Sequence, residues 1–238
     1  MTQTVPPRRV LACDTSTRVA TIALLEDGGV TAEWTFLSPE PRSGHLQADI
    51  DRMLTGRGLK ASDLDLLVTS LGPGSFTGVR VAIATMKGLA FATGRPLVGV
   101  CSLEALAAPL LGRGMPVLAA FDARRHEVYG ALYGADGATL LAPATWDAAR
   151  LAAAICDAVP AGDVLGVGEG VHAYRAALHD GLGGRLRLAA PWEHVVRASV
   201  IAALGAARAA DIPLLDDLEP LYLRRSEAEL KREAREQA

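Results

Sequence analysis

The chain has 238 residues, 50% of them hydrophobic, and a formal charge of −3 at pH 7. It is long enough for one large domain or two lobes around a real core. It lacks the basic stripe with which a protein grips nucleic acid unaided, and lysine occurs only at Lys60, Lys87 and Lys231.

In chain order, RVLACDTS reads as a buried strand. VATIALLE and VTAEWTF are two more, joined at a glycine turn. Leu46, Ile50, Met53 and Leu54 fall at helical spacing and predict a helix over 45–55, with Ser43 as N-cap and Gly56 or Gly58 as the stop. LDLLVTSLG is a strand, 76–93 a helix, RPLVGVCS a strand and LEALAAPLLG a short helix. The pattern then restarts. MPVLAAFDARR, HEVYGALYG and ATLLAPATW are strands, DAARLAAAICDAV is a helix, and GDVLGVGEG is a strand into a glycine turn. HAYRAALHDGL and ASVIAALGAARAA are helices. The Gly-, Arg- and Pro-rich stretch 180–195 reads as loop, and the tail SEAELKREAREQA as a frayed helix or unstructured chain. The outline is β-β-β-α-β-α-β followed by a looser second copy. It predicts a two-lobed α/β protein with lobes at 1–106 and 107–238.

Cys13, Cys101 and Cys156 form no CxxC pair, and their odd number fits a reducing cytoplasm rather than a disulfide framework. Cys13 and Cys101 read as small buried hydrophobes. The stretch MTQTVPPRRVLACDTST carries no signal-peptide core, and no apolar run reaches the ~18 residues of a membrane span. The expected setting is soluble and cytoplasmic.

Each copy opens with a strand ending in an aspartate, Asp14 in LACDTST and Asp122 in LAAFDARR. Two such carboxylates across a cleft suit a hydrated magnesium, although turns favour aspartate for their own reasons. Between a strand and a helix lies GPGSFTG. A phosphate-binding P-loop needs G-x4-G-K-[ST], but Gly74 and Gly78 stand too close and Val79 takes the lysine position. Two readings stay open for this turn. Its glycines supply special backbone angles while Ser75 or Thr77 caps the helix, or the helix end holds an anion.

The histidines, His45, His126, His172, His179 and His194, show no H-x3-H pair. His45 and Asp49, four apart, read as a surface pair rather than half a metal site. No Ser-His-Asp set or nucleophile elbow stands out. The helix 76–93 is nearly without bulk at Gly78, Ala82, Ala84, Gly88, Ala90 and Ala92, so a second backbone can approach it closely.

The blocks LACDTST, GPGSFTGVRVAIATMKGLA, PLVGVCSLEALA, FDARRHEVY and LEPLYLRR, in this order, closely resemble the TsaB family, bacterial proteins needed for making threonylcarbamoyladenosine in tRNA. The resemblance runs from residue 9 to residue 226. It implies a two-lobed actin/Hsp70-like (ribonuclease H-like) fold. It implies vestigial phosphate loops at Asp14, Thr15, Ser16, Gly72, Gly74, Ser75, Thr77, Gly78 and Asp122, with the turn in GVGEGV where an adenosine loop would lie. DARRHE departs from an active pattern: it lacks a glycine after Asp122 and places Arg124 and Arg125 where small residues belong. The catalytic relative TsaD has two metal-binding histidines where this chain has Ser102 and Leu106, and neither replaces a histidine ligand.

The resemblance therefore implies a noncatalytic paralogue without a resident metal or cofactor, holding ATP, ADP or magnesium weakly at most. Its implied partners are TsaD, through helices matching 45–57 and 77–92, and the ATPase TsaE. A homodimer is expected in isolation, and contact with tRNA only through the complex. The expected interface residues are His45, Asp49, Arg52 and Met53 on one helix and Val79, Ala82, Ile83, Met86 and Leu89 on the other. The competing reading is a small ATP-dependent kinase or hydrolase of the same fold, using Asp14 and Asp122 with magnesium. A metal-dependent peptidase is the third, opposed by Ser102 and Leu106.

Overall fold

The computed structural model describes residues 7–37, 45–210, 212 and 214–224. Ser43 and the charged tail, for which a cap and a frayed helix were expected, lie outside the described residues. Strands β1 (Arg9–Asp14), β2 (Val19–Glu26) and β3 (Gly29–Leu37) are followed by α1 (Leu46–Gly56), β4 (Leu66–Ser70), α2 (Phe76–Thr93) and β5 (Leu97–Val100). A short α3 (Ser102–Ala107) leads to the second copy: β6 (Val117–Arg124), β7 (Glu127–Tyr133), β8 (Thr139–Asp147), α4 (Ala148–Ala158), β9 (Val164–Val167), α5 (Glu169–Ala173), α6 (Arg175–Gly181) and β10 (Leu186–Leu188). The last described helix is α7 (Ala198–Ala207).

Among the described residues there are two five-stranded sheets, ordered β3-β2-β1-β4-β5 and β8-β7-β6-β9-β10. In each, the first three strands run antiparallel to their neighbours and the last two join in parallel. The same path is thus drawn twice, and the molecule has the two-lobed actin/Hsp70-like fold. β1 is central and buried on both faces, which is why RVLACD is apolar without alternation. β3 is an edge strand and half exposed.

α1 lays Leu46, Ile50, Met53 and Leu54 on the outer face of the first sheet. α2 lies beside it with Val79, Ala82, Ile83, Met86 and Ala90 turned inward. Ser75 caps it by accepting from the Gly78 amide, and Gly94 ends it at φ 67°, a left-handed stop. α4 and α6 cover the outer face of the second sheet in the same way. Between the sheets lies a shared core containing Leu103, Leu106, Ile201 and Ala202.

α7 corrects the division of the chain at 106/107. It packs on β1, β2 and β4 of the first sheet, and Gly205 approaches so closely that a Cβ would sit 2.4 Å from Val68 Cγ1. Glu33 on β3 holds its start: the Ser199 amide and hydroxyl donate to the carboxylate at 2.9 and 2.7 Å, and Arg197 pairs with it. That is the favourable placement of an anion at a helix N-terminus. Leu215 and Leu218 then join the outer core of the first lobe. The described residues from Ala198 to Tyr222 therefore return to the lobe the chain began with, while Leu223 and Arg224 reach back to Thr145 and Glu127 of the second.

Two further expectations change. The stretch 180–195 is not all loop: Leu186–Leu188 adds a parallel strand to β9, and Pro191–Glu193 makes a 3-10 turn. The expected helix HAYRAALHDGL is broken at Tyr174 into α5 and α6. Its phenol is drawn aside to Asp122, 3.2 Å away.

Candidate functional site

β1 delivers Asp14 to a fully buried place at its C-terminal end. Oδ1 accepts from the Ser16 amide at 3.1 Å and from the Ser70 hydroxyl at the end of β4. Oδ2 has no partner among the described residues, nor does the buried Ser16 hydroxyl. Burial raises the carboxyl's pKa above its ordinary value, and the bonds from Ser70 and Ser16 counter it in part. A hydrated magnesium needs a carboxylate it can reach through water, and a side chain closed off in this way does not present one.

The glycine turn explains the closure. A Cβ on Gly74 would lie 2.2 Å from the Ser16 carbonyl oxygen, and one on Gly78 would lie 1.9 Å from that of Thr15. The Ser75 amide donates to the Ser16 carbonyl at 2.6 Å, and the Thr15 hydroxyl to the Gly78 carbonyl at 2.6 Å. Gly72, at φ 90°, accepts from the Ser102 amide at 2.8 Å. The turn and the Asp14 loop are thus clasped backbone to backbone, with Thr77 outside. Of the two readings of GPGSFTG, the geometry fits the turn and helix cap.

Asp122 lies at the matching place in the second lobe and is half-buried. Its Oδ1 accepts from the Arg124 amide at 2.8 Å and from Tyr174, while Arg124's guanidinium lies 3.5 Å from Oδ2. Arg124, Arg125 and His126 all have positive φ, 63°, 55° and 65°. A tight turn demands this conformation here, and non-glycine residues hold it at roughly 1 kcal/mol or more each. Glu169, at the start of α5, is raised by burial and by Asp122, with Arg124 and Arg18 opposing. The second loop is thus filled with the protein's own ionic side chains.

Ser102 and Leu106 are the positions for which the sequence resemblance implied lost metal ligands. Ser102 is buried at the start of α3 and Leu106 packs in the shared core. No group of three or more His, Cys, Asp or Glu suited to a metal occurs among the described residues.

The structure brings together one pair that sequence spacing hides. His172 and His194 place their Nε2 atoms 3.2 Å apart, and the Gly168 amide donates to His194 Nδ1 at 3.0 Å. That donor fixes the tautomer: Nδ1 accepts, so Nε2 carries the proton, facing His172 and the Ala189 carbonyl at 3.1 Å. A proton on Nε2 leaves it no lone pair for a metal. Burial lowers the His172 pKa, and His194 and Arg175 lower it further.

The expected interface residues need correction. Met53, Val79, Ala82, Ile83 and Met86 are core residues of the first lobe. Asp49 is buried too, with Arg52 3.3 Å away, so His45 and Asp49 are not a surface pair. These positions carry the inward stripe of each helix, and the sequence does not reveal which stripe faces the sheet. His45 and Arg52 are exposed and Leu89 is half-buried. The outward face of α2 is Ala84, Gly88, Phe91 and Ala92. Phe91 is 85% exposed, and a Cβ on Gly88 would meet nothing within 4 Å.

A family model described as TsaD, tRNA N6-adenosine threonylcarbamoyltransferase, matches residues 42–229. The Bacillus subtilis tRNA threonylcarbamoyladenosine biosynthesis protein TsaB is 34% identical over 227 residues, covering 93% of this chain and 96% of that one. The Escherichia coli TsaB is 38% identical over 130 residues, and there the match spans 54% of this chain and 56% of the relative. The solved structure of YeaZ from Pseudomonas aeruginosa superposes with a TM-score of 0.73 at 30% identity, over 90% of this chain and 99% of that one. On this full-length likeness of sequence and structure, the chain belongs to the TsaB family of tRNA threonylcarbamoyladenosine biosynthesis proteins.

Proposed function

We propose that the protein is a noncatalytic subunit of the threonylcarbamoyl-transfer machinery, acting by pairing with the catalytic paralogue TsaD and recruiting the ATPase TsaE. In isolation it pairs with a second copy, and it reaches tRNA only through the complex. The observation that carries this reading is the outward face of α2. An exposed glycine inside a helix costs about 1 kcal/mol relative to alanine. Gly88 spends this with no described residue within 4 Å of where its Cβ would sit, near the exposed Phe91. A second helix laid along Ala84 and Gly88 gives both features a use, since close approach of backbones needs small side chains. Weak nucleotide binding at most fits the buried Asp14 and the self-filled Asp122 turn.

The test is size-exclusion chromatography of this protein mixed with TsaD from the same organism. Ala84→Arg is expected to abolish the complex while circular dichroism remains that of the folded chain. A complex of undiminished affinity places the interface elsewhere.

A further inference from the structure

Away from the two aspartate loops and from α1 and α2, a cavity of 280 Å³ lies where the lobes join. Five polar side chains from both lobes line it: Cys101 after β5, Glu104 on α3, Tyr133 at the end of β7, Thr139 at the start of β8, and Arg208 after α7. Arg208 Nη2 donates to Glu104 Oε1, while Arg208 Nη1 and Nε and Glu104 Oε2 have no partner among the described residues. The wall beside them is apolar, with Leu111 and Leu204. Burial raises the Cys101 thiol and the Tyr133 phenol, so both are neutral near pH 7, and they hydrogen-bond each other at the wall of the cavity.

We propose that this cavity binds a small zwitterion of the α-amino-acid class, its carboxylate on Arg208, its ammonium on Glu104 and its side chain against Leu111 and Leu204. An arginine offers a planar fork that suits a carboxylate, and a carboxylate accepts readily from an ammonium. One partly exposed ion pair with spare atoms on both ends can open to a ligand carrying the same two charges, because an exposed pair itself contributes little. The volume suits a ligand of a few heavy atoms and excludes a nucleotide. Such a ligand touches α3 and the segment after α7 on one side and the β7–β8 region on the other, so it tightens the junction of the lobes. The site is independent of the pairing function.

The experiment is calorimetry on the full chain with free L-valine, and with isobutylamine and isovalerate as single-charge controls. Valine is expected to bind saturably and to raise the melting temperature, with each control at least tenfold weaker. Arg208→Gln and Glu104→Gln are each expected to weaken valine tenfold or more. Leu204→Trp fills the cavity and abolishes binding. If that variant does not fold, Thr139→Trp at the rim replaces it, with the same loss expected. No saturable binding by the wild type up to roughly 10 mM, above the range of even a weak −4 kcal/mol site, overturns the proposal. So does valine binding that survives both glutamine variants unchanged, or a control that binds as tightly as valine.

Discussion

The Thr15 hydroxyl donates to the Gly78 carbonyl while the Thr15 carbonyl oxygen lies where a Gly78 Cβ would have to be, 1.9 Å away. One residue of the β1–β2 loop thus both bonds the start of α2 and forbids it a side chain. Gly78→Ala is expected to destabilise the protein by about 2–4 kcal/mol, the range for overpacking where backbone cannot yield. At ~2–4 °C per kcal/mol for a chain of this size, the melting temperature falls by roughly 4–16 °C. Gly88→Ala, in open space on the same helix, is expected to gain up to about 1 kcal/mol. Thermal denaturation of the two variants side by side measures this. Equal effects refute the clasp.

Asp14 gives a pH signature. Its folded-state pKa is raised, so the folded protein takes up its proton before the unfolded chain does. Stability from this group therefore increases as pH falls through the raised value and is fully gained below the ordinary carboxylate value. Asp14→Asn keeps an acceptor for Ser16 and Ser70 and removes the charge. The variant is expected to be at least as stable as the wild type at pH 7, with the advantage vanishing towards pH 4. Denaturant melts across that range decide it, and a large loss of stability at pH 7 counts against a buried, strained carboxylate. A kinase-like role requires Asp14→Asn to lose activity. The pairing reading requires it to bind TsaD as the wild type does.

The histidine pair has the opposite sign. His172 is lowered below its ordinary value, so the unfolded chain binds its proton first. Stability from His172 is present near neutrality and is lost as pH falls through the ordinary histidine value and below. Protonation of His172 puts two Nε2–H groups face to face and removes the acceptor that His172 offers to the His194 Nε2–H. In His172→Gln the stability difference between pH 7.5 and pH 5.5 is expected to shrink. NMR titration should show the His172 ring protonating below a free histidine; protonation above it contradicts the geometry.

Ala82 and Ala84 separate the two faces of α2. Ala82 is wholly buried, and Ala84 is exposed. Ala82→Arg is expected to unfold the first lobe, because an unpaired buried charge has no compensation. Ala84→Arg is expected to fold and to weaken pairing with TsaD a hundredfold or more, about 2.7 kcal/mol. Circular dichroism and chromatography read the two outcomes, and a folded Ala82→Arg variant would sink the assignment of faces.

Much of the architecture was legible because it rests on local chemistry. The apolar runs of β1, β4 and β6, the cap at Ser75 and the stop at Gly94 each carry their own signal. What failed was set by distant partners. Leu186 and Leu188 sit astride Arg187, whose guanidinium is held outside by Asp163 at 2.9 Å, so arginine-rich sequence masked a strand. α2 is apolar on several faces, and only the packed sheet decides that Ala82 lies inside and Ala84 outside. His172 and His194 are 22 residues apart and meet only because α5 and the turn after β10 fold together. The aspartates at the strand ends were found, but burial of Asp14 depends on two glycines some sixty residues away, and no spacing rule reports that.

The return of α7 to the first sheet has a consequence for synthesis on the ribosome. The inner face of β1, β2 and β4 is roofed by a helix that begins at Ala198, so for most of translation that face has nothing to lie against. The first lobe is therefore expected to complete its packing only after α7 is made, against the usual N-terminal-first order of folding domains. A polypeptide released at residue 106 keeps the strands and loses the roof. Expressed alone, it is expected to aggregate rather than stand as a half-molecule.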